Sequence, residues 1–201
     1  MNILDENWTP AWGTIFTWFA MDNKGKIAVM VNNCLGNLPK TLLKINEVES
    51  LLDRLTEYMW EESQDFTNYP KNKNGDFLLD LYSSWRNRRN LSKHELIEEI
   101  NDDFAESANY SDANLAKNKG FFVYNGIEGY NPGEDYPVGY EGETKMGDYF
   151  RYLVPTVYAS IDDFPEELRR GIAVSDTVDF TVDRLLDNDL INTYFTRMYS
   201  E

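Results

Sequence analysis

Two apolar runs joined by a five-residue turn constrain this chain more than any other feature. Residues 14–20 read TIFTWFA and residues 26–33 read KIAVMVNN, both rich in β-branched and aromatic side chains. MDNKG lies between them, and its Asp, Asn and Gly are turn residues. The pattern predicts a β-hairpin. A strand with one wet face alternates apolar and polar residues, and these two scarcely alternate. Phe16, Trp18, Phe19, Val29 and Val31 therefore belong in the core, with both faces of the hairpin at least partly covered.

Residues 46–63 predict a helix, because Val48, Leu51, Leu52, Leu55, Tyr58 and Met59 recur at helical spacing. Asn46 is the expected N-cap, with Glu49 three residues on in a variant of the capping box. Residues 77–85 predict a strand. Residues 92–108 predict a second helix, with Ser92 and Glu95 as a capping box and Leu96, Ile97, Ile100 and Phe104 as its apolar stripe. Strands are expected over 120–129 and 149–161, the latter with Pro155 at an edge or bulge. A short helix over 164–171 has Pro165 near its start and Gly171 just past its end. The tail over 180–199 reads as helical with an interruption near 187–190. This order departs from the strict alternation of a doubly wound sheet. The expected fold is α+β, one domain over 1–201. It has a mainly antiparallel sheet, an N-terminal β-hairpin and three to four packed helices.

A chain of 201 residues buries roughly 70% of its unfolded surface and supports a core without staples. Net charge is −16, yet 42% of residues are apolar and 14% aromatic, so the acidity belongs to the surface of a folded protein. Such a surface disfavours nucleic acid and anionic membranes and favours cations or a basic protein. Cys34 is the only cysteine, which excludes an intrachain disulfide and suits a reducing compartment. MNILDENWTPAW has neither the basic n-region nor the apolar h-region of a secretory leader, and no apolar run has membrane-spanning length. A cytoplasmic location is the expectation.

Phosphate-binding GxxxxGK[ST], dinucleotide-binding GxGxxG and the GxSxG nucleophile elbow are all missing. Cys34 and His94 are single residues of their kinds and read as structural. No catalytic residue, cofactor or metal site is expected. Glycoside hydrolysis needs only two placed carboxyl groups, and the chain has 35 acidic residues. A carboxylate-dependent hydrolase acting on glycans is therefore the alternative to a binding protein, alongside a non-enzymatic interaction module.

The stretch GEDYPVGYEGETKMGDY at 133–149 is poor core material, with four glycines, three tyrosines and five carboxylates. Tyrosines offer large contact area at low entropic cost, and carboxylates pair with basic residues of a partner. Glu134, Asp135, Tyr136, Tyr140, Glu141, Glu143 and Asp148 are the candidate partner-binding residues. The competing structural reading is a long loop whose tyrosines pack back on their own sheet. A basic island, WRNRRNLSK, carries Arg86, Arg88, Arg89 and Lys93, which are expected to pair with the chain's own carboxylates.

The N-terminal run WGTIFTWFAMDNKGKIAVMVNNCLGNLP, on an acidic α+β chain without catalytic signatures, resembles the immunity proteins of bacterial toxin–immunity pairs, including contact-dependent growth inhibition systems. The likeness covers about the first 40 residues and carries over no functional residue. It implies a cytosolic protein that binds one cognate toxin, often a basic nuclease, and blocks it.

Overall fold

The computed structural model describes residues 3–87, 90–131 and 133–200. The fold is α+β. Its ten strands are β1 (Thr17–Met21), β2 (Ile27–Val31), β3 (Phe77–Leu79), β4 (Tyr82–Ser83), β5 (Phe122–Gly126), β6 (Pro137–Val138), β7 (Tyr149–Pro155), β8 (Ile172–Val174), β9 (Leu185–Leu186) and β10 (Arg197–Met198). Eight of them form one mixed sheet in the order β10-β8-β1-β2-β5-β7-β3, with β9 also on β7, while β4 and β6 make a separate ribbon. The β1–β8 and β2–β5 pairs are parallel and the other pairs are antiparallel.

The predicted hairpin is the centre of the large sheet. Asp22 organises its turn by accepting from the backbone N–H groups of Lys24 (2.9 Å) and Lys26 (2.8 Å), while its other oxygen accepts from Phe180 N (3.0 Å). Both faces are covered, as the missing alternation requires. Trp18 meets Tyr149 and Phe195, and its neighbour Phe19, whose side chain points to the opposite face, meets Phe121 and Phe164. Trp18, Phe19 and the whole run Ile27–Met30 have no exposed surface.

Six α-helices occur among the described residues: α1 (Lys40–Leu43), α2 (Val48–Met59), α3 (Lys93–Ser107), α4 (Asp112–Lys117), α5 (Glu166–Arg169) and α6 (Ile191–Tyr194). Only α2 and α3 are longer than six residues, so the three to four packed helices become two long ones and four short ones. The apolar stripe of α2 is buried throughout. Its cap differs from expectation. Glu47, in a left-handed conformation, precedes the helix without a side-chain cap, and Glu49 instead accepts from the backbone of Ile3 and Leu4. The Ser92–Glu95 capping box of α3 forms as predicted.

Two further expectations fail. The strand over 77–85 is split in two: β3 ends at Leu79, Asp80 N and Leu81 N still donate to the Tyr152 and Arg151 carbonyls, and Tyr82–Ser83 then pairs in the separate ribbon, while the Asp80 carboxylate meets Arg151 (2.7 Å) and Arg184 (2.6 Å). The tail over 180–199 is mostly extended or turn, with α6 as its only α-helical segment. Leu185 and Leu186 pair with β7, Arg197 and Met198 with β8, and Asn188 accepts from Asn37 twice, its Oδ1 from the Asn37 N–H and its carbonyl from Asn37 Nδ2. Sheet pairing and side-chain bonds outweigh the helical preference of a short polar segment. The small helix α4 and strand β8 were not expected from the sequence.

Candidate partner-binding surface

The ribbon of β4 and β6 carries the candidate surface, and one buried carboxylate holds it in place. Asp135 accepts from Ser83 Oγ (2.5 Å), Trp85 N (3.0 Å) and Glu128 N (3.1 Å). Ser83 Oγ in turn accepts from Arg86 N (2.9 Å). Arg86 bridges Glu128 (2.5 Å) and Asn33 Oδ1 (2.8 Å), and Asn33 donates to the carbonyl of Gly126 (2.9 Å). The turn from Ser83 to Arg86 is thus tied to the strand ends beside it. A loop dense in backbone N–H groups needs acceptors, and these carboxylates supply them.

This framework presents aromatic rings to solvent. Trp12 and Tyr130 stack at 5.2 Å with planes 17° apart, although they remain 52% and 76% exposed. Trp85 meets Tyr130 edge-on at 6.3 Å. Glu134 fixes the Tyr130 backbone by accepting from Tyr130 N and Asn131 N, the latter at 3.0 Å. Three segments remote in sequence therefore converge on one aromatic cluster, with Trp12 and Tyr130 exposed and Trp85 half-buried behind them. Isolated exposed apolar residues are ordinary, whereas a cluster of this kind is a candidate contact surface.

The seven predicted contact residues fall into three groups. Tyr136, Glu141 and Glu143 are exposed, and Glu134 and Tyr140 are half-buried. Asp135 and Asp148 are buried and correct the expectation of a wholly exposed acidic loop. Both carboxylates are consumed internally: Asp135 clamps the ribbon, and Asp148 accepts from Lys145 N (2.7 Å) and Asn188 N (2.8 Å). Burial pushes the Asp148 carboxyl up, against those hydrogen bonds. Tyr140 packs against a small cluster of Leu81, Ile127 and Phe150, so the structural reading holds for that ring. It holds more fully for Tyr149, whose hydroxyl accepts from Trp18 Nε1 and donates to the Asn37 carbonyl, each at 3.0 Å. Gly36 permits this, since a Cβ there would lie 2.6 Å from the Tyr149 ring.

Lys145 anchors the far end of the loop to Asp187 (2.8 Å) and Asp189 (2.6 Å). Of the basic island, Arg86 pairs with Glu128 and Lys93 opens α3, while Arg88 and Arg89 lie outside the described residues. Cys34 is buried, whereas His94 is an exposed residue of α3 whose partner is Glu98 at 3.4 Å. Among the described residues no group of three His, Cys, Asp or Glu is placed to hold a metal ion, and no helix is long and apolar enough to cross a membrane.

The sequence reasoning missed Trp12, Trp85 and Tyr130. Their signal lies in their neighbours: TPAWGT, SSWRN and EGYNPG each set one large ring among turn formers, where no core stripe can use it. A second concavity, about 780 Å³, is an open depression lined by Tyr58, Phe66, Tyr69, Asp65, Asp162 and Asp163. Its three carboxylates are each engaged, by Arg54, Arg169 and Lys73 respectively. Compared with protein-family models, curated proteins and solved structures, the chain matches none.

Proposed function

We propose that this chain is an acidic, cytoplasmic immunity-type protein that binds a cognate basic toxin and blocks it by protein–protein contact. The observation that carries the reading is the exposed Trp12–Tyr130 stack, backed by half-buried Trp85, on a chain of net charge −16. Large rings supply the apolar centre of an interface, and surrounding carboxylates draw a basic partner in. Tyr136, Glu141 and Glu143 extend the surface, with Glu134 and Tyr140 contributing their open edges. Asp135 and Asp148 support it from beneath. A nuclease is a suitable toxin, because proteins that bind nucleic acid carry the basic surface this one complements.

The test is coexpression with the protein encoded immediately upstream. The proposal expects that protein to be basic and to arrest growth alone, and it expects this chain to restore growth by forming a stable complex. A harmless neighbour, or rescue without a complex, removes the proposal.

A second reading rests on the 780 Å³ depression, where aromatic rings and carboxylates meet as they do in glycan-cleaving clefts. It is the weaker reading, because all three carboxylates there already carry ion pairs. Hydrolysis of glycan substrates that is abolished by Asp163→Asn in a folded variant would favour it.

A further inference from the structure

An open recess of about 510 Å³ is lined by the edge strand β3, the first turns of α3 and part of β7. Leu78, Ile97, Val154 and Tyr158 give it a carbon wall, and Lys93 and Arg151 give it cations. Leu78 and Tyr158 are 61% and 44% exposed, and Tyr158 is held by stacking on the buried Phe122 ring at 5.5 Å. Pockets for drug-sized ligands run to roughly 300–1,000 Å³, so the recess has room for a small molecule.

The cations here outnumber the carboxylate that holds them. Arg151 and Arg184 share Asp80, and no other carboxylate among the described residues pairs with either. Arg151 donates from Nε to Asp80 (2.7 Å) and from Nη1 to the Phe180 carbonyl (2.7 Å), while its Nη2 has no partner among the described residues. Every fully buried side-chain nitrogen and oxygen among those residues has a partner. The unpartnered Nη2 of this buried arginine therefore keeps an opening, and Arg151 lines the recess. Lys93, exposed at the start of α3, makes no ion pair with a described residue. Lys26 adds positive charge 5.2 Å from the Tyr158 ring centre. Arginine N–H groups bind carboxylate oxygens strongly, because both partners are ionised. On a chain of net charge −16, a recess of this sign attracts the kind of anion that the remaining surface repels.

We infer that this recess binds a small amphiphilic carboxylate, an acid anion that carries an apolar chain or ring. The carboxylate accepts from Arg151 Nη2 under the field of Lys93, and the apolar body covers Leu78, Val154 and Tyr158. A bare anion would leave the carbon wall wet, and a hydrocarbon would leave Nη2 without an acceptor. Only a ligand with both halves satisfies both walls. The inference is independent of the docking reading, since no residue of the recess belongs to the Trp12–Tyr130 cluster or to the loop over 133–149.

The experiment is an NMR titration of the full chain with octanoate, beside octanol, octylammonium and acetate as controls. The expected result is a Kd on the order of 1 mM for octanoate, with at least about tenfold weaker binding of each control. Amide shifts should centre on Leu78, Arg151 and Val154. Replacing Arg151 would also strip Asp80 of a partner, so the decisive variants lie at exposed positions. Leu78→Glu sets a carboxylate in the carbon wall and should weaken octanoate at least about tenfold, by repulsion and lost apolar contact. Lys93→Gln should weaken it about twofold, as the loss of one solvent-screened charge does. Both variants should melt near the wild type, because neither side chain is part of the core. Octanol or acetate binding as tightly as octanoate, shifts confined to other parts of the chain, or wild-type affinity in the folded Leu78→Glu variant overturns the inference. None of these outcomes bears on whether a toxin requires Trp12 and Tyr130, so the two proposals fail separately.

Discussion

The chain uses two tryptophan–tyrosine pairs in opposite ways. Trp18 and Tyr149 meet edge-on at 5.8 Å, have no exposed surface and share a hydrogen bond. Trp12 and Tyr130 stack face to face at 5.2 Å with more than half of each residue exposed. The inner pair lies on a covered face of the central sheet, and its polar atoms find protein partners because water cannot reach them. The outer pair sits among turn residues, with the Tyr130 backbone held by the Glu134 carboxylate, so its rings are placed without being spent on the core. Ring chemistry alone does not separate the two roles; the backbone that carries the ring does.

Variants that strike each pair should separate most clearly at the inner tryptophan. Trp18→Ala removes the largest side chain of the sheet's buried centre and should cost about 3–5 kcal/mol, read as a fall in denaturation midpoint. A midpoint near that of the wild type would break the assignment of an inner role. Next comes Asp80, the half-buried carboxylate on which the buried Arg151 and the half-buried Arg184 converge. Burial pushes its carboxyl up, but the hydrogen bonds from Arg184 and Arg151 together outweigh that and hold it below the ordinary range. Asp80→Asn should cost about 3 kcal/mol at neutral pH, because it leaves buried arginine charge uncompensated. A lowered folded value means that the stabilisation is present above the usual carboxylate range and is lost as pH falls through the folded value. The gap between wild type and Asp80→Asn should therefore narrow in acid; a gap independent of pH would contradict the ion-pair account.

Asp135 ties the ribbon and Trp85 to the chain just after β5, so its replacement should register in stability and at Trp85. Asp135→Asn leaves backbone donors of the ribbon poorly paired and should cost about 1–3 kcal/mol, with looser packing of Trp85 seen in its fluorescence. Tyr149→Phe should cost about 1 kcal/mol through the lost hydroxyl bonds, whereas Tyr130→Phe should be neutral. Trp12→Ala should change stability by no more than about 0.5 kcal/mol, as surface substitutions do. Thermal melts of these three check the order, and a Trp12→Ala loss as large as that of Trp18→Ala would erase the contrast.

Much of the frame was legible in the sequence because it depends on local pattern. The hairpin, the apolar face of α2 and the Ser92–Glu95 box each follow from spacing within one segment. The failures share a different cause. The tail beyond Phe180 reads as helical by itself but is recruited by β7 and β8, partners that lie elsewhere in the chain. The loop over 133–149 was recognised as non-core, yet nothing in its composition says that Asp135 and Asp148 turn inward while Glu141 and Glu143 stay out. That division depends on which backbone N–H groups the fold leaves open. The aromatic cluster was harder still, since Trp12, Trp85 and Tyr130 meet only after three remote segments converge.

The proposed function makes the outer pair the part of the surface that a partner protein covers. The direct measurement is the affinity of the cognate toxin for the double variant Trp12→Ala/Tyr130→Ala, made beside its thermal melt. The account predicts at least about a thirtyfold loss of affinity, the equivalent of about 2 kcal/mol, with a melting temperature within about two degrees of wild type. Wild-type affinity in the folded double variant would contradict it and place the binding face elsewhere on the molecule.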